Sequence, residues 1–259
     1  MINFWQAGIL GVVQGITEFL PVSSTGHLIL SSQLLGLISG DFLTSFIIVI
    51  QAGSILAVLF LYGKSLLNWE FDKKIIAAFL PTAIVGFLIY KIVKTVFLGN
   101  NLVVAVALIL GGLLMIYLER FYNSKKDFVP RELSTLTYRE AMLIGLVQAL
   151  AMIPGVSRSA ATLFGGLAVG LSRSATLEFS FLLAIPTMLA ATGYDLFKSG
   201  SAFSLDQVEV IIFGIVLSFV VSMISIRWLL NFVRQHTFVG FGIYRIVLGT
   251  GWLLFFWLI

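Results

Sequence analysis

The sequence predicts an all-α polytopic membrane protein: six transmembrane helices plus two re-entrant helical hairpins, arranged as an inverted repeat. Three observations lead there. Hydrophobic residues make up 59% of the 259-residue chain and charged residues 11%, against roughly 25% charged in a soluble domain. Apolar stretches recur along the whole length. Four of them come as two closely spaced pairs, each split by a short polar turn that begins with proline.

A span needs about 20 residues to cross about 30 Å of hydrocarbon. The stretches 43–62, 75–97, 101–119, 175–197, 208–232 and 240–259 meet that requirement. Residues 3–20 and 24–36 are instead separated by Pro21-Val22-Ser23, and 140–153 and 159–170 by Pro154-Gly155-Val156-Ser157-Arg158. The second member of each pair has about 12 residues, or about 18 Å of helix, too short to cross. Each pair therefore reads as a hairpin that enters and leaves by the same side, with its polar turn at membrane depth. Irregular backbone is tolerated there only when it is buried in protein or lines a wet cavity. No long polar segment divides the chain, so residues 1–259 form a single integral membrane domain. The absence of cysteine excludes disulfides and thiolate metal sites. The N-terminus lacks a basic n-region and a small-residue cleavage pattern, so no cleaved signal peptide is expected.

The two hairpins resemble each other. Gln14 and Pro21-Val-Ser-Ser24 find echoes in Gln148 and Pro154-Gly-Val-Ser157, with Pro21 and Ser24 mapping at one common offset. Phe46, Leu56 and Ala57 recur at the same offset as Phe179, Leu189 and Ala190. The first half, 1–121, holds the hairpin 3–36 and the spans 43–62, 75–97 and 101–119. The second, 138–259, holds the hairpin 140–170 and the spans 175–197, 208–232 and 240–259. Three spans per half put the halves in opposite orientations, and such inverted repeats build a midplane site from broken helices of both halves. Charge sets the orientation. One face collects Lys64, Lys73, Lys74, Arg120, Lys125, Lys126, Arg131, Arg139, Arg173, Arg227 and Arg234, and the other keeps Lys91, Lys94 and Lys198. The basic face is expected to be cytoplasmic, which leaves both termini and the mouth of the first hairpin extracytoplasmic.

The first turn is a polar island. Glu18 follows Gln14 by one helical turn, so both project from one face. Ser23 or Ser24 can cap the next helix, whose free N–H groups and positive end suit a phosphate. His27 follows Ser24 by three residues. A hydroxyl, an imidazole and a carboxylate in one buried pocket are what nucleophilic or general acid–base catalysis needs. Membrane burial of Glu18 and His27 is expensive, which favours a functional role over a structural pair; Ser23 and Thr25 alone read as ordinary caps. The second turn supplies Arg158, flanked by Ser157 and Ser159. Its guanidinium suits bidentate phosphate binding and also a counter-ion role for Glu18. Elsewhere, Glu178 reads as an interfacial partner of Arg173, Gln51 as a structural side chain, His236 as a solvent-exposed loop residue, and Arg245 as a residue that snorkels toward the cytoplasmic face.

Two segments, Gly11-Val-Val-Gln-Gly-Ile-Thr-Glu-Phe-Leu-Pro-Val-Ser-Ser-Thr-Gly-His27 and Pro154-Gly-Val-Ser-Arg-Ser159, resemble the signatures of the bacitracin-resistance type undecaprenyl-diphosphate phosphatases. Ser172-Arg-Ser-Ala-Thr-Leu-Glu-Phe-Ser-Phe-Leu-Leu-Ala-Ile-Pro186 and Gly193-Tyr-Asp195 resemble further segments of that family. The resemblance covers essentially the whole chain. It implies hydrolysis of undecaprenyl diphosphate to the monophosphate and phosphate in the bacterial cytoplasmic membrane, which recycles the carrier for peptidoglycan and confers bacitracin resistance. It also implies a divalent cation, Mg²⁺ or Ca²⁺. Ser24 matches the family's proposed nucleophile, His27 its essential histidine and Arg158 its diphosphate-binding arginine. Ser23, Thr25, Ser157 and Ser159 match polar residues that line its site. Gln14 and Glu18 fill an (E/Q)xxxE pattern with glutamine first, which leaves Glu18 as the one carboxylate there for a metal. The expected partners are the polyprenyl diphosphate, membrane lipids and a second copy of the chain in a homodimer; no nucleic acid is expected. The competing class is a polyprenyl-phosphate transporter or flippase, because inverted repeats with paired hairpins are also transporter architecture.

Overall fold

The structure, a computed structural model, describes residues 2–37, 40–63, 69–92, 101–124, 129–199 and 204–258. Lys64, Lys94, Lys125 and Lys126, and the end of the stretch 75–97, lie outside the described residues. Eleven α-helices follow one another among them: α1 (Phe4–Thr17), α2 (Ser24–Leu34), α3 (Asp41–Val49), α4 (Gln51–Tyr62), α5 (Trp69–Ile92), α6 (Asn101–Ser124), α7 (Tyr138–Gln148), α8 (Arg158–Ala168), α9 (Arg173–Ser199), α10 (Leu205–Gln235) and α11 (Val239–Leu258). Short 3₁₀ turns cover Leu133–Thr135 and Ala149–Met152. The chain is a multi-pass membrane protein. Four described segments, Asp41–Tyr62, Asn101–Tyr122, Arg173–Tyr194 and Leu205–Gln235, are long and apolar enough to cross a bilayer. The 24-residue α5 has the length, but Asp72, Lys73 and Lys74 charge its first turns. The apolar part of the last helix, Val239–Phe255, is shorter.

Several helices start where the sequence offers a side-chain cap. Asn3 and Gln6 close a reciprocal capping box on α1, Thr137 and Glu140 do so on α7, and Ser204 and Gln207 on α10. The expected span 43–62 falls within Asp41–Tyr62, where a single turn residue, Ile50, with its backbone still in the helical region, joins α3 to α4.

The helices pair in an exchanged pattern. The entering helix of the first hairpin, α1, packs mainly on α10, and that of the second, α7, packs mainly on α5. α6 lies along α11, and α4 touches both α9 and α10. Small residues bring the exchanged pairs close: a Cβ on Gly15 would sit 2.9 Å from the Ser218 carbonyl oxygen, and one on Gly145 would overlap the Ala78 carbonyl. Lipid offers no hydrophobic drive for helix association, so such close packing and the buried hydroxyl contacts hold the bundle. One cluster of contacts joins Ser54 to Ser218 (3.0 Å) and Ser222 (2.9 Å), and another joins the Thr82 hydroxyl to the Gly145 carbonyl (2.6 Å). At the centre, Phe19 of the first tip meets Phe181 of α9 edge to face, with ring centroids 5.2 Å apart.

Candidate active site

The two hairpin tips share one backbone device. Ser23 and Ser157 both have φ of 74°, and they are the only non-glycine residues with positive φ among those described. That conformation is strained for a side chain with a Cβ, on the order of 1–3 kcal/mol. Each serine then caps the 11-residue helix that follows: Ser23 Oγ accepts from Gly26 N–H at 3.4 Å, and Ser157 Oγ from Ala160 N–H at 3.2 Å. The sequence echo pairs Ser24 with Ser157, but the backbone pairs Ser23 with Ser157. Ser24 is therefore the positional counterpart of Arg158, each the first residue of its helix.

The tips meet. Arg158 Nη2 donates to Glu18 Oε1 at 3.2 Å, and Ser159 Oγ donates to the Phe19 carbonyl at 2.8 Å. Glu18 Oε2 accepts from Ser24 Oγ at 2.7 Å and from Gln14 Nε2 at 3.0 Å. Glu18 is 7% exposed, so its charge is sustained by these three donors rather than by water. Gln14 is fully buried and also donates to Ser54 at 3.3 Å, which fixes its amide nitrogen toward Glu18. Two groups are left with capacity: Arg158 Nε–H and Gln14 Oε1 are buried without partners. Arg158 Nη1 is anchored on the Ser180 carbonyl at 2.8 Å, which aims the guanidinium.

A cavity of about 120 Å³ lies between the tips. Glu18, Ser23, Ser24, Thr25, Ser157 and Arg158 line it, together with Gln51, Ala151, Pro154, Gly155 and Met188. The N-termini of α2 and α8 both open on it, so two sets of first-turn N–H groups face one space, a site suited to an anion. A larger cavity of about 390 Å³, lined by Pro81, Arg139, Met142, Leu143 and Leu146, lies elsewhere and brings no cluster of polar groups together.

Not every expected site residue reaches the cavity. Gln14 stands behind Glu18, and Ser159 is fully buried on the Phe19 carbonyl. His27 does not line the wall. Its Nδ1 lies 2.8 Å from the Ser23 carbonyl, which can only accept, so Nδ1 carries the proton. Its Nε2, 2.7 Å from the Tyr244 hydroxyl, is then the acceptor, and the two rings stack. Gln51 was read as structural, but it lines the cavity.

Two other readings are overturned. Arg173 does not pair with Glu178. Its Nε donates to Glu119 Oε1 at 2.8 Å, and its guanidinium lies over the Tyr122 ring. Arg245 does not snorkel: it is fully buried beside the tips. Its Nη1 donates to the carbonyls of Pro21 and Val156, both at 3.0 Å. Its Nη2 donates to those of Gly155 (2.9 Å) and Ala107 (3.2 Å), and its Nε to that of Leu108 (3.4 Å). Broken backbone that is buried needs donors, and this one side chain supplies them to both tips.

One carboxylate on the wall does not make a resident metal cage, and no group of three His, Cys, Asp or Glu side chains forms one among the described residues. Mg²⁺ commonly binds through one or two carboxylates plus substrate phosphates. Glu18, which lines the cavity beside Arg158, is the carboxylate that fits a cation shared with a phosphate ligand.

Comparison with known proteins gives the family. The profile of the family described as bacitracin resistance protein BacA matches residues 7–251. A protein of Aquifex aeolicus called undecaprenyl-diphosphatase is 50% identical over 97% of this chain and 98% of its own length. Proteins of the same name from Wolinella succinogenes and Thermus thermophilus are 48% and 44% identical, each over 98% of both chains. The cavity between the two tips thus lies in segments that the family profile spans, and the chain belongs to the bacitracin resistance protein BacA family.

Proposed function

We propose that this protein hydrolyses undecaprenyl diphosphate to undecaprenyl phosphate and phosphate in the cavity between the hairpin tips. The observation that carries the reading is the chain Ser24–Glu18–Arg158: a hydroxyl bonded to a carboxylate that is itself held by an arginine from the opposite hairpin. The family and the name shared by its relatives support the substrate. Release of the monophosphate recycles the lipid carrier for cell-wall synthesis and confers resistance to bacitracin.

Phosphoryl transfer depends mostly on positioning and on charge stabilisation. Arg158 and the N–H groups of α2 and α8 hold the diphosphate oxygens. Glu18 takes the proton of Ser24 as Oγ attacks the terminal phosphorus. The bond from that phosphorus to the bridging oxygen breaks, and the lipid monophosphate leaves with the electron pair and receives the proton from Glu18. Glu18 then takes a proton from water as the water oxygen attacks the phosphoserine. The Oγ–P bond breaks, and Glu18 returns the proton to Oγ. His27 keeps Ser23 in its strained geometry and takes no proton in this scheme. Ser157 and Thr25 line the substrate site with Ser23, while Ser159 and Gln14 support it from behind. Glu18 would hold Mg²⁺ or Ca²⁺, which would supply charge neutralisation for the diphosphate.

The architecture we propose is six spans and two re-entrant hairpins in two inverted halves, 1–121 and 138–259. The positive φ shared by the two tip serines and the exchanged packing of α1 on α10 and α7 on α5 support it. We further propose the bacterial inner membrane, with both termini extracytoplasmic. The basic face supports this orientation, and it opens the first hairpin to the outside. The exchanged packing also favours a second reading, a polyprenyl-phosphate carrier. The test is phosphate release from a prenyl diphosphate by detergent-solubilised protein, with Mg²⁺ and Ca²⁺ compared side by side. A phosphatase turns over without a bilayer or gradient; a pure carrier releases nothing, and that result rejects the proposal.

A further inference from the structure

We infer that Arg245 is a positioning residue for this reaction: it clamps the two hairpin tips in the relative placement that in-line attack requires. The inference rests on the proposed hydrolysis for its kinetic consequence, but the clamp itself is a statement about geometry. Arg245 comes from α11, which provides no wall of the cavity. All five of its N–H donors are engaged, and every acceptor is a main-chain carbonyl. The acceptors come from three places: Pro21 in the first tip, Gly155 and Val156 in the second, and Ala107 and Leu108 of α6. No carboxylate forms an ion pair with it among the described residues. A charge fully buried without a counter-ion is costly, and here five carbonyl dipoles offset that cost.

The placement matters for chemistry because each tip contributes half of the site. Ser24 and Glu18 follow or precede Pro21 by three residues. Arg158 follows Val156 by two. Gly155, whose φ of 95° suits glycine, lines the cavity and binds Arg245 through its carbonyl. A shift of one tip against the other moves the nucleophile relative to the group that holds the diphosphate. Misplacement by about 1 Å costs on the order of 100-fold in rate. A lysine keeps the charge but has three donors on a compact head in place of a five-donor fork.

Gly111 on α6 offers a way to disturb the clamp without removing it. A Cβ there would sit 2.9 Å from Arg245 Cζ and 3.3 Å from Nε, and would press on Nη2; its three nearest neighbours are all Arg245 atoms. Alanine is otherwise the better residue within a helix. So Gly111→Ala displaces the guanidinium without weakening the intrinsic helix propensity of α6.

The experiment compares the parent, Gly111→Ala and Arg245→Lys in detergent, measuring thermal unfolding, hydrogen–deuterium exchange and turnover of a prenyl diphosphate. In both variants, exchange is expected to rise together in 19–24 and 153–158. In Arg245→Lys kcat should fall about 100-fold, in Gly111→Ala about 10-fold, with KM changed less than about 3-fold because Arg158 stays. If Arg245→Lys does not fold, Gly111→Ala decides. A folded Gly111→Ala with parental exchange at both tips overturns the clamp. Loosened tips with parental kcat overturn the positioning role. A parent that releases no phosphate rejects the hydrolysis reading instead, and the exchange data still decide the clamp.

Discussion

The two hairpin tips are built alike and equipped differently. Ser23 and Ser157 share φ of 74° and the same cap, and each starts an 11-residue helix. One residue later the tips diverge: Ser24 offers a hydroxyl, and Arg158 a fixed cation. Four residues before Val22, Glu18 adds a carboxylate, and it accepts from both. The backbone device supplies two helix ends suited to an anion, and in the proposed reaction the divergence gives attack to one tip and charge to the other. A symmetric pair of serines would have no base and no counter-charge.

The sharpest way to break this division is to remove each tip's own group. Ser24→Ala should lower kcat by at least about 10³-fold, the scale on which catalytic nucleophiles are lost. Its KM should stay close to the parent's. Arg158→Lys, which keeps charge but loses the bidentate fork, should cost about 10²-fold in kcat/KM. Steady-state phosphate release checks both. If Arg158→Lys costs more than Ser24→Ala, the roles assigned to the tips are reversed in importance.

A smaller effect tests the likeness rather than the difference. Ser23→Ala and Ser157→Ala each delete one cap, worth about 1 kcal/mol. Thermal or denaturant unfolding should show losses that agree within about 0.5 kcal/mol. Unequal losses would mean that only one tip depends on the shared device.

The mouths of the hairpins differ as well, and there the expected effect is smallest. The capping box of α1 uses Asn3 and Gln6, which do not titrate, whereas that of α7 uses Glu140, paired with Arg131. The Arg131 guanidinium beside Glu140 holds its carboxyl down at about 2. A lowered folded-state value means the pair contributes fully above the ordinary 4.5 and loses that contribution as pH falls toward about 2. Both groups are partly exposed, so the contribution is at most about 1 kcal/mol. The gap in unfolding midpoint between the parent and Glu140→Gln should therefore close as pH drops from 6 toward 2. A gap that is constant with pH would show that Glu140 acts through hydrogen bonding alone.

The sequence was most readable where polarity conflicts with its surroundings. Glu18, Ser24 and Arg158 stand out in apolar sequence because buried polar groups are costly, and the structure brings all three to one cavity. The two helix breaks were legible from Pro21 and Pro154. What stayed hidden depends on contacts between distant segments. Arg245 sits near the start of an apolar helix, where snorkelling is the ordinary expectation, and its acceptors are backbone atoms that carry no sequence signal. Arg173 chose Glu119, 54 residues away, over the nearby Glu178. His27 looked like a member of the site because it follows Ser24 closely, but the helix turns it toward Tyr244. Gln51 lies within the expected span 43–62, and its facing the tips is set by packing between distant helices, not by that stretch itself.

The central claim is that Ser24 of the first tip attacks a phosphorus held by Arg158 of the second. Its most direct test is to mix the detergent-solubilised protein with prenyl diphosphate labelled on the terminal phosphate, quench with acid during turnover, and map the protein-bound label. The account predicts label on Ser24, absent from Ser24→Ala. Turnover that proceeds with no label on the protein at any quench time would contradict it and assign the attack to water.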